Sequence, residues 1–278
     1  MVYKRINIKD LSKDFSNSEA YLEVYSLEYS KGSFEEESYT RPGMVIVPGG
    51  SYVHCSDREA EPVALRMLCE GFNTFVVRYT CSTKYPTPHK ELAFFINYIR
   101  KHYQEFNLID KNLVVTAFSA GAHLAASFTT LYKKIAQMVN VNPSDIKPLA
   151  LVLGYPVISC KEGITHIYSA NNITGGELDL VKLLSVEDHI NDDFPPTYVF
   201  TTKDDRVVPY QNTVLLIEQL KKNNIKYRSH IFVEGEHGGS LYTRGVYYTF
   251  DNRYKRGLLN RDWVNEASDF LFEIIEND

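Results

Sequence analysis

Val114-Val115-Thr116-Ala117-Phe118-Ser119-Ala120-Gly121-Ala122-His123-Leu124-Ala125-Ala126 is the stretch on which the reading of this chain turns. A β-branched apolar run meets a small-x-Ser-x-Gly turn and passes at once into an alanine-rich helical pattern. This is the pattern of a nucleophile elbow, a sharp strand-to-helix turn that pushes a serine hydroxyl into a cleft. Small neighbours are required because the turn brings backbone and flanking side chains close together. Ala117 stands where a glycine is usual and still leaves little bulk two residues before Ser119.

Working outward, the chain repeats a strand, loop and helix rhythm. Tyr21 to Tyr29 alternates and predicts an antiparallel edge strand paired with Tyr3 to Ile8. Short buried strands are expected at Met44 to Val47, Phe75 to Tyr79, Leu113 to Ala117, Leu149 to Leu153, Thr197 to Thr202 and Tyr227 to Phe232. Helices are expected at Glu61 to Glu70, at Pro88 to Tyr103 with apolar spacing at Leu92, Phe95, Ile96 and Ile99, and from the elbow to about Tyr132. Two more follow at Gln211 to Asn223 and Asp262 to Ile275. Such alternation predicts an α/β protein with a mostly parallel twisted sheet, helices on both faces and antiparallel N-terminal edge strands. No repeat or linker divides residues 1–278, so a single domain is expected. Two long connections break the rhythm: 159–193, with a helical piece at Leu178 to Leu184, and the tyrosine-rich 238–261. Either could be a lid or a substrate-binding insertion. Tyr52, Tyr242 and Tyr247 are candidate substrate contacts, the alternative being that such aromatics pack over the sheet edge.

The bulk numbers narrow the function classes. With 278 residues, 44% hydrophobic and 23% charged, the chain can bury a sizeable core. A net charge of −5 gives no electrostatic reason to expect nucleic acid or an anionic membrane as partner. No apolar run approaches the length of a membrane span. The four cysteines, Cys55, Cys69, Cys81 and Cys160, follow no metal-ligand spacing. The N-terminus lacks the apolar core of a signal peptide, so reduced thiols and a cytoplasmic location are expected.

A serine hydroxyl is a weak nucleophile until a histidine takes its proton, and that histidine needs an acid to set its tautomer. In the order Ser, acid, His, the acid should follow one late strand and the histidine the next. Thr201-Thr202-Lys203-Asp204-Asp205-Arg206-Val207-Val208-Pro209 follows the strand begun at Thr197, and Glu234-Gly235-Glu236-His237-Gly238-Gly239 follows the strand ending near Phe232. Both fall at carboxyl ends of parallel strands, where open α/β sheets place their ligands. The spacing leaves Asp204 and Asp205 both open as the acid; four residues before the proline favours Asp205. One oxyanion donor is the N–H of Ala120, and the other should come from Pro48-Gly49-Gly50-Ser51-Tyr52.

These motifs resemble those of the α/β-hydrolase esterase/lipase superfamily, in the branch of bacterial acetyl esterases and acetyl-xylan esterases. The resemblance rests on Pro48-Gly49-Gly50-Ser51-Tyr52, Arg58-Glu59-Ala60-Glu61-Pro62-Val63-Ala64, Phe118-Ser119-Ala120-Gly121-Ala122-His123-Leu124, Gly154-Tyr155-Pro156-Val157, Asp204-Asp205-Arg206-Val207-Val208-Pro209 and Glu236-His237-Gly238. It implies an α/β-hydrolase fold, with Ser119 as nucleophile, His237 as base, Asp205 as acid and oxyanion donors at Gly50, Ser51 and Ala120. It also implies hydrolysis of a small-molecule ester with a short acyl group, acetyl first and sugar esters among the candidates, without metal or cofactor. Ser51 departs from the family pattern, where a third glycine is common, and no histidine precedes the glycine pair.

Arg58 and Glu59 read as an ion pair supporting the oxyanion loop. His123 reads as a packing or helix-polar residue, and His54, His89, His102, His166, His189 and His230 as structural or solvated. A thioesterase or peptidase would use the same three residues, and a ligand-binding homologue could keep the fold without the chemistry. A homodimer is compatible with the sequence and not specified by it.

Overall fold

The computed structural model describes residues 1–27, 40–247 and 260–277. Eight strands form one sheet: β1 (Val2–Asn7), β2 (Tyr21–Ser26), β3 (Arg41–Val47), β4 (Asn73–Arg78), β5 (Leu108–Phe118), β6 (Ala150–Gly154), β7 (Thr197–Thr202) and β8 (Tyr227–Phe232). Their order is β1-β2-β4-β3-β5-β6-β7-β8, with β1 and β2 antiparallel and β3 to β8 parallel. The expected antiparallel N-terminal strand pair and parallel sheet are both present; Glu28 and Tyr29, at the end of the expected second strand, lie outside the described residues.

The central strands read as unbroken apolar runs because both faces are covered. Val45, Val47, Val115, Ala117, Leu151, Leu153 and Val199 point into one core. Met44, Ile46, Val114, Ala150, Val152, Tyr198 and Phe200 alternate with them into the other, as the two-residue period of a strand requires. Over the first face lie α3 (Thr87–Lys101), α4 (Ser119–Met138) and α7 (Gln211–Lys222); α2 (Glu61–Cys69) and α8 (Trp263–Ile275) cover the second. The remaining helices are α1 (Ile8–Leu11), α5 (Ile167–Thr174) and α6 (Leu178–Leu184). Among the described residues, no helix is long and apolar enough to cross a membrane.

Several element ends differ from expectation, the strand β5 most of all, and one helix, α5, is unexpected. β5 begins at Leu108 rather than Leu113, because Arg41 pairs with Leu108 and the ladder continues past a register shift before Gly43. Backbone pairing there needs no apolar side chains. α5 is absent from the sequence pattern: its β-branched and asparagine residues are poor helix formers, and only Gly175, left-handed at the helix end (φ 65°), marks it.

Parallel register brings the chemistry to one edge. Val47 pairs with Ala117, setting the loop after β3 beside Ser119. Thr202 pairs with Phe232, setting the loop after β7 beside that after β8.

Candidate active site

Ser119 opens α4 with φ 52°, a left-handed backbone that costs a serine of order 1–3 kcal/mol. Tight packing around the turn sustains it. A Cβ on Gly121 would collide with the carbonyl oxygens of Val47 and Pro48, so only glycine lets the helix approach β3. The Ser119 Oγ lies 2.8 Å from His237 Nε2, and His237 Nδ1 lies 2.6 Å from Asp205 Oδ2. Oδ1 of Asp205 accepts from the N–H groups of Val207 (2.8 Å) and Val208 (2.9 Å). The Asp205 side chain is wholly buried and that of His237 is 14% exposed. Asp204 points elsewhere: its Oδ1 accepts the Gly235 N–H at 2.8 Å, pinning the histidine loop to the acid loop.

Gly50 (φ 124°), Ser51 (φ 56°) and Tyr52 (φ 63°) are three consecutive residues at positive φ. Turn bonds hold the carbonyls of Gly49 and Gly50. Gly49 O accepts from Ser56 N–H (2.9 Å), and Gly50 O from the N–H groups of Val53 (2.9 Å) and His54 (3.2 Å). In a trans peptide the N–H points opposite to the carbonyl. Fixing these two carbonyls therefore aims the N–H groups of Gly50 and Ser51 away from the turn. Among the described residues those two N–H groups and that of Ala120 have no hydrogen-bond acceptor. Ala120 sits in the first turn of α4, where the helix supplies none and its positive end favours negative charge.

Glu59 anchors this loop, though not through Arg58. Its buried carboxylate accepts the Gly49 N–H (2.8 Å) and the Tyr155 hydroxyl (2.8 Å), and the Tyr155 oxygen accepts the Ser240 N–H (3.0 Å). Burial, then the Glu59 charge, pushes the Tyr155 phenol well above its ordinary value, so it stays a donor. Its ring meets the His237 ring edge-on at 4.9 Å. Trp263 stacks on Phe200 and donates to Ser240 O at 2.9 Å, tying the histidine loop to α8. The expected Arg58–Glu59 ion pair is not formed; the Arg58 guanidinium lies 6.0 Å over the Tyr247 ring instead.

The three candidate tyrosines require correction. Tyr52 and Tyr242 have no exposed surface and Tyr247 very little. A phenol beside a cleft can turn inward when its hydroxyl finds a buried partner. Tyr52 donates to His123 Nδ1 at 2.7 Å, and Tyr242 donates to Glu236 O at 3.4 Å. Tyr248, Phe250 and Tyr254 of the 238–261 connection lie outside the described residues. Val53 and Val207 on loops, and Ile167 and Tyr168 at the start of α5, are exposed instead. His166, read from sequence as structural or solvated, lies near enough to feel the charges of His237 and Asp205, although burial is the larger cause of its lowered pKa. Its place on an irregular connection gave no sequence signal. Among the described residues, no group of three or more histidine, cysteine or carboxylate side chains could hold a metal.

His123 and His89 are buried structural histidines. His123 Nε2 donates to Leu184 O (2.9 Å) while Nδ1 accepts from Tyr52, and His89 Nε2 meets Ser127 Oγ at 2.9 Å. Burial pushes His123 down to about 4 and His89 to about 3. Below the ordinary value of 6.5 the unfolded chain takes up protons that the folded chain refuses. Stability is therefore complete above pH 6.5 and falls as the pH drops toward 4, by roughly 1 kcal/mol per unit for each histidine. Glu91, raised by burial, acts in the opposite sense, but two imidazoles outweigh one carboxyl. Urea midpoints at pH 7 and pH 5 should show the drop; equal midpoints would mean that both imidazoles protonate freely in the fold.

Residues 33–220 match the BD-FAE family. Endo-1,4-beta-xylanase B of Butyrivibrio fibrisolvens is 31% identical over 207 residues, covering 71% of this chain and 32% of that protein. An acetylxylan esterase of Xylanibacter ruminicola is 25% identical over 237 residues, covering 82% and 46%. The chain thus spans about a third to a half of the length of these curated relatives. The solved acetyl ester-xyloside bifunctional hydrolase of Caldicellulosiruptor lactoaceticus superposes with a TM-score of 0.75 at 30% identity, covering 92% of this chain and 88% of that one. The architecture is the α/β-hydrolase fold.

Proposed function

The chain belongs to the BD-FAE family, and from that premise we propose that it is a serine carboxylesterase for short-acyl esters, acetyl esters of sugars first among them. The observation that carries the reading is the line from Ser119 Oγ through His237 to the buried Asp205, facing N–H groups that lack an acceptor. The names of the relatives, a xylanase, an acetylxylan esterase and an acetyl ester-xyloside hydrolase, support the sugar ester.

His237 takes the Ser119 proton as the oxygen attacks the ester carbonyl. The tetrahedral oxyanion is held by the N–H groups of Ala120, Gly50 and Ser51, which are aimed before substrate arrives. Asp205, accepting from Nδ1–H, keeps Nε2 free to act as base and stabilises the imidazolium. Collapse expels the alcohol with the proton from His237. Water, deprotonated by His237, then attacks the acyl-enzyme and frees the acid. Water is the only co-reactant of this route.

Hydrolysis of p-nitrophenyl acetate, butyrate and octanoate should be fastest on the acetate and fall with acyl length. Acyl-CoA and aminoacyl anilide substrates run alongside should be turned over more slowly than the acetate. Preference for either of those would replace the carboxylesterase reading with a thioesterase or a peptidase. Activity on the acetate would then justify a screen of acetylated sugars.

A further inference from the structure

We infer that Asn172, on α5, is a positioning residue for the oxyanion donors, and that the connection 159–193 buttresses their loop. The inference rests on the reading of Ser119, His237 and Asp205 given above and deepens it.

Every carbonyl from Pro48 to Tyr52 is held. Tyr79 Oη donates to Pro48 O (3.1 Å), Ser56 N–H to Gly49 O, Val53 and His54 N–H to Gly50 O, and Ser82 N–H to Tyr52 O (2.7 Å). Those partners lie on the loop itself or at the end of the neighbouring β4. Ser51 O is different: it accepts from Asn172 Nδ2 at 2.8 Å, across 121 residues of sequence. The peptide it belongs to lies between two residues at left-handed φ, Ser51 and Tyr52. Rotation of that peptide releases Tyr52 from its unfavourable backbone, so the plane tends to turn unless its oxygen is held. Val53 and His54, which grip Gly50 O and so aim the Ser51 N–H, follow directly after the rotating plane.

The donor comes from a firm support. Tyr85 N–H donates to Ile173 O at 3.0 Å, and Ile173 and Thr174 are buried. The same connection reaches the loop a second time through Leu184 O, which orients His123 to accept from Tyr52. A segment bonded directly to the backbone of the loop, and to its phenol through His123, is built as a brace. Asn172 is only half-buried, so replacing it leaves the core intact.

The test compares wild type with Asn172→Asp, which keeps the shape and loses the donor, and Asn172→Ala. Both should lower kcat on p-nitrophenyl acetate about 10-fold with KM within about 3-fold, since outright loss of one oxyanion donor costs about 10²–10³. Inactivation by a fluorophosphonate, which uses the same donors, should slow in proportion, with the thermal midpoint changed by only a few degrees. Variants within 2-fold of wild type in both rates would overturn the inference and leave the Ser119 reading standing. A wild type that neither hydrolyses the ester nor reacts with the fluorophosphonate would overturn both.

Discussion

Ser119→Ala is expected to lower kcat on p-nitrophenyl acetate by on the order of 10⁶-fold, with KM little changed. The hydroxyl lies 2.8 Å from His237 Nε2, and none of the other contacts described around it offers a replacement nucleophile. Oxyanion donors alone still speed attack by water, and that sets the residual rate. Alanine occupies the φ of 52° at much the same cost as serine, and no buried donor loses its acceptor. The fold should therefore survive, and circular dichroism with thermal melts can check it. Wild type and variant assayed side by side decide the matter. Retention of most of the hydrolysis by the variant would remove Ser119 from the chemistry.

Asp205→Asn should cost about 10⁴-fold in kcat, and Asp204→Asn far less. Asparagine keeps an oxygen for the N–H groups of Val207 and Val208 but turns an amide donor toward His237 Nδ1. The imidazole proton then moves to Nε2, where it can no longer accept from Ser119. The side chain of Asp205 is fully buried, so water cannot repair the exchange. Asp204 holds the Gly235 N–H and does not contact His237 Nδ1, so its loss shifts the histidine loop without changing the tautomer. Paired kinetics on the two variants give the contrast; equal losses would undo the assignment of the acid.

What could be read in advance followed from residues that geometry demands. Ser119 and Gly121 are legible because few side chains fit a strained strand-to-helix turn. The strands are legible because burial on two faces selects unbroken apolar runs. The choice between Asp204 and Asp205 is legible only through the spacing to Pro209, since neighbouring carboxylates on one loop differ only in how the turn directs them. Tyr52 faces inward because a buried acceptor, His123, lies within reach, and it is brought there from 71 residues away; Tyr242 turns to Glu236 O, six residues back on its own irregular loop. The same holds for Glu59, whose partners Gly49 and Tyr155 lie 10 and 96 residues away.

Glu59, Tyr155 and Ser240 form one hydrogen-bonded chain joining the oxyanion loop, the end of β6 and the histidine loop. The inheritance of Glu59 and Tyr155 is therefore joint. Phenylalanine at Tyr155 would leave a buried carboxylate and a buried N–H each short of a partner, and a change at Glu59 would strand the phenol. Glu59 and Tyr155 accept new residues only when both change, while the Ser240 link is a backbone N–H that every residue but proline supplies. A descendant of this protein can diversify the exposed Val53, Ile167, Tyr168 and Val207 one at a time, whereas the frame beneath them must drift as a set or stand still.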